Sequence, residues 1–218
     1  MSAGSVDGFF REVARVALTV ADRHGFVLGG GVAWLVNGLV RRPTEDVDLF
    51  SDTDGAAAAA ADEVCAALRA AGFEVSEVVS DLGEVFAGFD RDQREFMVAR
   101  AGRMLRLSLC RLDRHHRPVI MDLGPVMHPD DLVATKVAAL VNRREVRDYI
   151  DVAAAAGRGY DLVGMLALAR RHDPGLDDED VADVGRYLDR LDDVRFRYYR
   201  LSPEQIRRVR ARFAGWPR

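Results

Sequence analysis

The chain has 218 residues, of which 49% are hydrophobic and 30% are charged, and its formal net charge is -4 at pH 7. This apolar content can bury a core, which excludes general disorder, and no apolar run reaches the ~20 residues of a membrane-spanning helix. Cys65 and Cys110 are far apart without metal-ligand spacing, so we expect neither a disulfide scaffold nor a structural zinc site. The N-terminal residues lack a signal-peptide core, and we expect a cytoplasmic protein with no membrane partner.

Hydrophobic periodicity predicts a mixed α/β region followed by an all-helical one. The predicted helices of the first region are Asp7–His24, Val32–Val40 and Gly55–Ala71, and its predicted strands are Phe26–Leu28, Val47–Phe50, Phe73–Val79, Val85–Phe89, Phe96–Ala99, Leu105–Leu109 and Val119–Leu123. The predicted helices of the second region are Asp130–Asn142, Arg144–Ala156, Asp161–His172, Asp178–Leu191 and Pro203–Phe213. We place the boundary within Gly124–Pro129, which gives a core over residues 1–126 and a helical domain over residues 127–218.

The clearest chemical pattern lies between the first two predicted strands and in the second of them. The run Gly29-Gly30-Gly31 stands between a strand and a helix, where a bare backbone and a helix N-terminus suit contact with phosphate. Asp46 and Asp48 are two residues apart on a strand and so point to one face, where two carboxylates can bind Mg²⁺. The alternative is an acidic surface turn beside a tight loop. The joint pattern favours a site for a nucleotide and a metal ion.

These residues also resemble a known family. Gly-Gly-x-Ala, a short helix and Arg-x-Thr-x-Asp-x-Asp-Leu-Phe, over residues 30–50, resemble the polymerase-β-like nucleotidyltransferases, and more narrowly the AbiEii/AbiGii toxin family. A second block matches the family's D-L-x-x-x-K helix over residues 131–136 and its R-x-x-R-D-x-x-D pattern over residues 144–151. Because the two blocks occur in the family's order, the chain is identified as a member. The resemblance implies a polymerase-β-like core followed by a helical C-terminal portion.

The resemblance also implies roles for individual residues. The expected catalytic residues are Asp46, Asp48, Lys136 and Asp148, the expected ligands of Mg²⁺ are Asp46 and Asp48, and the expected NTP-binding residues are Gly30, Gly31, Arg42, Thr44 and Lys136. Lys136 is the only lysine in an arginine-rich chain, and its compact charge suits phosphate oxygens, although an ordinary surface lysine is the alternative.

Two positions in the second block leave alternatives open. Asp148 is expected in the active site, as a catalytic carboxylate or as the partner of a basic residue. The rival interpretation is a structural ion pair with Arg144 or Arg147, and for Asp151 this structural role is favoured.

One position departs from the superfamily pattern. A third carboxylate, acting as general base or second-metal ligand, is expected on the strand Leu105–Leu109, but the chain has Ser108 there. A serine neither binds a metal comparably nor acts as a base near pH 7. Asp113 and Asp122 are candidate replacements. Otherwise the enzyme relies on metal ions and positioning, or it is a weak or inactive member.

The C-terminal segment is basic and interleaved with aromatic residues, after an acidic stretch over residues 173–193. Such a segment can bind RNA, or it can pair with the acidic stretch of its own chain, and the sequence does not favour either. Its residues are Arg195, Phe196, Arg197, Tyr198, Tyr199, Arg200, Arg207, Arg208, Arg210 and Arg212.

The sequence thus predicts a Mg²⁺-dependent nucleotidyltransferase that moves a nucleoside monophosphate from an NTP to an acceptor hydroxyl. The resemblance implies that the acceptor is the 3′ end of tRNA, that the donor is a pyrimidine nucleotide, that translation is blocked, and that a cognate antitoxin is the partner. The alternatives are a nucleotidyltransferase with a protein or small-molecule acceptor and a degenerate member that binds nucleotide or RNA without turnover.

Overall fold

The computed structural model describes residues 6–40, 42, 44–78 and 89–218. Its internal contacts divide the chain into two compact units, Met1–His128 and Pro129–Arg218. None of the helices in the described ranges combines the length and the apolar character needed to cross a membrane.

The first unit is built on one mixed sheet, which has seven strands within the described residues. The strands are β1 Val27–Leu28, β2 Asp46–Ser51, β3 Glu74–Glu77, β4 Gln93–Arg100, β5 Arg103–Arg111, β6 Val119–Met121 and β7 Gly124–Val126. Their order in the sheet is β3-β4-β5-β2-β1-β7-β6, in which the pairs β2–β5 and β1–β7 are parallel and the other pairs are antiparallel. The helices are α1 Gly8–Ala21, a 3₁₀ turn Asp22–His24, α2 Gly30–Val36, α3 Ala56–Ala70 and α4 Phe89–Asp92.

The two faces of the sheet differ in polarity. Along β2, Val47 and Leu49 are fully buried, whereas Asp46 and Asp48 on the opposite face are half-buried. Helices α1 and α3 pack against each other and against the sheet, and their apolar stripes bury a continuous core. The period-two alternation of β2 therefore places both carboxylates on the face opposite its buried apolar side chains.

The second unit consists of helices around an aromatic core. Tyr149 and Trp216 are buried. The hydroxyl of Tyr149 donates to the backbone carbonyl of Val184 over 2.8 Å, and the indole N–H of Trp216 donates to the backbone carbonyl of Val181 over 2.7 Å. These bonds satisfy the polar ends of large apolar side chains. The helices are α5 Pro129–Arg143, α6 Val146–Ala156, α7 Leu162–His172, α8 Asp178–Arg190, α9 Asp193–Arg197 and α10 Pro203–Arg212.

The predicted fold class is confirmed: a mixed sheet with helices precedes a helical C-terminal portion. The predicted strand Val85–Phe89 falls outside the described residues except for Phe89, which begins α4. The elements α4, β7 and α9 were not predicted, because runs of three to five residues carry no readable periodicity. The stretch Gly124–Val126, expected to be part of a boundary, is a strand paired with β1.

Candidate active site

The glycine turn after β1 lies directly against the start of β2. The amide of Gly29 donates to the carbonyl of Asp48 over 2.8 Å, and Gly30 has a φ of +55°. A Cβ built on Gly30 would lie 1.7 Å from Oδ2 of Asp48, and one built on Gly31 would lie 2.3 Å from Oγ1 of Thr44. Glycine is therefore required here to seat these two side chains, a reason that the sequence did not reveal. Binding of phosphate by the same backbone stays a prediction.

The two carboxylates of β2 share one face of the sheet, as predicted. The hydroxyl of Thr44 donates to Oδ1 of Asp46 over 2.9 Å, so Thr44 orients this carboxylate, and its expected contact with the NTP stays a prediction. Both aspartates are half-buried, and Arg42, just before them, is half-buried as well. Half-buried carboxylate oxygens held on a rigid strand fit a hard divalent cation such as Mg²⁺.

The two candidate replacements for a carboxylate at Ser108 lie away from this site. Ser108 pairs in register with Asp48, while Asp113 lies two residues beyond the end of β5. Asp113 forms an ion pair with Arg111 over 2.7 Å. Asp122 precedes β7 and forms an ion pair with Arg11 of α1.

A carboxylate that the sequence analysis did not single out lies closer. Glu95 on β4 is the antiparallel register partner of Ser108, and so it shares the face of Asp48. The strand was predicted only over Phe96–Ala99, which leaves Glu95 outside it, and the pairing of β4 with β5 cannot be read from local sequence.

In the second unit, Lys136 lies between two buried carboxylates. Its Nζ is 3.2 Å from Oδ1 of Asp148 and 3.2 Å from Oδ2 of Asp151, and its side chain is 13% exposed. Arg143 adds two hydrogen bonds to Asp148, of 2.8 and 2.9 Å. Lys136 is therefore not an ordinary surface lysine, and Asp148 is the partner of basic residues.

The ionisation of Asp148 follows from this environment. Burial opposes its charge, but the hydrogen bonds from Arg143 and the charge of Lys136 outweigh burial and hold its pKa below the usual range. The partners expected under the rival interpretation lie elsewhere, because Arg147 forms an ion pair with Glu145 and Arg144 with Asp183.

The basic C-terminal segment divides between the two expected roles. Arg210 forms an ion pair with Asp193 over 2.7 Å, and Arg218 with Asp189 over 2.6 Å, so part of the segment pairs with its own acidic stretch. Another part faces solvent, and Tyr198 is 80% exposed. Within the described part of the chain, no ion pair joins a carboxylate to the exposed arginines Arg197, Arg200, Arg207 and Arg212.

Two solved structures are similar to this one over nearly the whole chain. JHP933 from Helicobacter pylori matches with a TM-score of 0.59 and 15% sequence identity, over 95% of this chain and 91% of that chain. MenT4, a nucleotidyltransferase toxin from Mycobacterium tuberculosis H37Rv, matches with a TM-score of 0.63 and 17% identity, over 94% and 82%. These likenesses show a shared fold. No curated protein matches the sequence.

A family model described as "Nucleotidyl transferase AbiEii toxin, Type IV TA system" matches residues 13–213. The match spans both units and includes the glycine turn, the paired aspartates and the Lys136 cluster. The chain therefore belongs to the AbiEii nucleotidyl transferase toxins of type IV toxin–antitoxin systems.

Proposed function

We propose that this toxin transfers a nucleoside monophosphate from a pyrimidine NTP to the 3′ end of tRNA in the cytoplasm and so blocks translation. Family membership implies an NTP substrate and an antitoxin partner. The observation that carries the proposed chemistry is the placement of Asp46 and Asp48 on one sheet face, with the Asp48 carboxylate directly against the turn at Gly30.

A divalent cation fits the donor set of this site. Asp46 and Asp48 would hold Mg²⁺, with Thr44 fixing the orientation of Asp46. When bound, the ion neutralises negative charge on the transferring phosphoryl group.

The remaining predicted residues bind and orient the NTP. Backbone N–H groups of Gly30 and Gly31 and the guanidinium of Arg42 contact phosphate oxygens. The ammonium of Lys136 has three N–H donors, and two of them suffice for Asp148 and Asp151, which leaves one for a phosphate. In this account Asp148 is a positioning residue that holds Lys136.

The exposed part of the C-terminal segment supports an RNA acceptor. Arg197, Tyr198 and Arg200 combine guanidinium groups with an 80% exposed aromatic ring, a combination that suits an RNA backbone and unpaired bases. An acceptor that is a protein or a small molecule would not require this surface.

The direct test incubates the protein with Mg²⁺, total tRNA and each of the four α-³²P-labelled NTPs in turn. We expect label on tRNA from a pyrimidine NTP, no label with Asp46→Ala, and wild-type labelling with the matched control Asp62→Ala, an exposed residue of α3. Label on a protein or a small molecule instead would refute the tRNA acceptor. Nucleotide binding without pyrophosphate release would favour the non-catalytic alternative.

The RNA surface is tested separately by the salt dependence of tRNA binding. The double variant Arg197→Ser/Arg200→Ser should reduce the slope of log K against log salt by about 1.4–1.8, because each neutralised phosphate contributes about 0.7–0.9. The matched control Arg158→Ser/Arg171→Ser removes two exposed arginines outside this segment and should leave the slope unchanged. An equal slope in both double variants would refute RNA binding by the segment.

A further inference from the structure

Glu95 faces the same patch of the sheet as the two aspartates of β2. In the sheet register, Ser108 of β5 pairs with Asp48 on one side and with Glu95 on the other. Register partners on neighbouring strands point to the same face. Three adjacent strands therefore present Asp48, Ser108 and Glu95 in one row.

The small side chain of Ser108 leaves space between the two carboxylates of this row. Strands lie about 4.8 Å apart, so the backbones at Glu95 and Asp48 are separated by about 10 Å. Ser108 is buried and shorter than either acidic side chain, so no larger side chain of β5 stands between Glu95 and Asp48 in this row. The thiol of Cys110, two residues farther along this face, has its pKa raised to about 12 by burial and, to a lesser extent, by the charges of Asp48 and Glu95.

The neighbours of Glu95 fix its carboxylate. Gln93 donates its Nε2 hydrogen to Oε1 of Glu95 over 3.0 Å, and Nη1 of Arg106 lies 3.3 Å from Oε2. Arg106 is the register partner of Asp46, so its positive charge stands between the carboxylates of β2 and that of β4. Among the described strand residues, the charged and titratable groups that share this face with Glu95 are Glu74, Arg106, Asp46, Asp48 and Cys110.

A purely structural role explains this arrangement poorly. The side chain of Arg106 is 55% exposed, and an ion pair with such an exposed partner contributes little stability. Glu95 is only 24% exposed and shares its face with the carboxylates of Asp46 and Asp48, a placement that like-charge repulsion disfavours.

We propose that Glu95 is a catalytic residue that accepts the proton of the acceptor hydroxyl. As the hydroxyl oxygen forms its bond to the α-phosphorus of the NTP, the bond from that phosphorus to the oxygen that links it to the β-phosphate breaks. Pyrophosphate leaves with the electron pair of the broken bond. The hydroxyl proton passes to an Oε atom of Glu95. The carboxylate that Ser108 cannot provide is thus supplied by the next strand. This inference rests on nucleotidyl transfer but not on tRNA as the acceptor.

The test compares single-turnover transfer by Glu95→Gln, Glu95→Asp and the matched control Glu74→Gln at saturating Mg²⁺. Glu74 lies on the same face at the edge strand β3 and is exposed. We expect Glu95→Gln to lose about 10²–10⁴-fold in rate, as for removal of a general base. Binding of Mn²⁺ and NTP should not change.

Glu95→Asp keeps the negative charge beside the exposed Arg106 but withdraws the carboxylate by one methylene, so it separates catalysis from structure. We expect it to retain the wild-type unfolding midpoint and to lose at least tenfold in rate. Wild-type rates in either Glu95 variant, or a loss explained by weaker Mn²⁺ binding, would overturn the proposal. Label on an acceptor other than tRNA would refute only tRNA as the acceptor. The Glu95 variants would then be compared with the wild type by their rates of transfer to that other acceptor. An absence of pyrophosphate release by the wild type from any NTP would overturn both.

Discussion

Replacement of Asp148 by Asn tests the charge cluster of the second unit. The substitution keeps the shape of the side chain and one acceptor oxygen but removes the negative charge. Asp148 is fully buried and accepts hydrogen bonds from Lys136 and Arg143, so the change leaves two cations against a single buried carboxylate, that of Asp151.

The expected loss in the free energy of unfolding follows from how exposed the remaining partners, Arg143 and Lys136, are. Removal of one member of a buried ion pair typically costs about 3–5 kcal/mol, because the other member is left buried and uncompensated. Here the side chain of Arg143 is 42% exposed and can be hydrated, and Lys136 keeps Asp151. We therefore expect Asp148→Asn to lower the free energy of unfolding by about 3 kcal/mol, the lower end of that range.

The stability that Asp148 contributes depends on pH and is lost in acid. The folded state holds the pKa of Asp148 below its usual range, so its stabilising contribution is complete above the unfolded-state pKa of about 3.9. The contribution is lost as the pH falls through the lower folded-state pKa. The difference between wild type and Asp148→Asn should be constant between pH 7 and about 5 and should shrink below pH ~4.

Urea unfolding of the full chain, followed by circular dichroism at several pH values, measures both effects. Asp183→Asn is the matched control, because Asp183 forms an exposed ion pair with Arg186, and its effect should be far smaller. An effect of Asp148→Asn no larger than that of the control, or one that does not shrink in acid, would refute this account of the cluster.

Two substitutions test how the first unit holds its carboxylates. Gly30→Ala and Gly38→Ala each place a Cβ at a positive φ, of +55° and +67°, but only the Cβ at Gly30 would meet Asp48, whereas nothing lies within 4 Å at Gly38. Gly38→Ala should lose about 1–2 kcal/mol in thermal unfolding from the backbone conformation alone. Gly30→Ala should lose more, because its Cβ also displaces Asp48, and only this variant should lose about 100-fold in transfer rate. Equal transfer rates of the two variants would contradict the packing argument. Thr44→Val removes the hydrogen bond to Asp46 and should lower the single-turnover rate by about tenfold or more without unfolding the protein. A wild-type rate would show that Thr44 does not position Asp46.

The sequence predicted those parts of the fold that depend on local patterns. Helix α1, with its Asp7 cap, and helix α10, with the capping box of Ser202 and Gln205, were predicted because caps and apolar stripes are encoded within one element. The alternation of β2 was sufficient to predict that Asp46 and Asp48 share a face. Pairing between distant strands has no such local signal, which is why Glu95 was not among the predicted site residues.

The same limit applies to the partners of charged residues. The sequence singled out Lys136 as the only lysine but did not predict that two buried carboxylates hold it. For Asp148, the rival interpretation from the sequence was an ion pair with Arg144 or Arg147. Arg144 instead adopts a φ of +53° in the turn before α6, and Arg143, at the end of α5, reaches Asp148.

The most direct test of the central claim is transfer of α-³²P-labelled nucleotide to tRNA with an intact 3′ end and to the same tRNA after periodate oxidation, which destroys the terminal hydroxyls. We expect label on intact tRNA only, and none with Asp46→Ala on either substrate. Equal labelling of intact and oxidised tRNA, or undiminished labelling by Asp46→Ala, would contradict nucleotidyl transfer to the 3′ end by the site that Asp46 and Asp48 form.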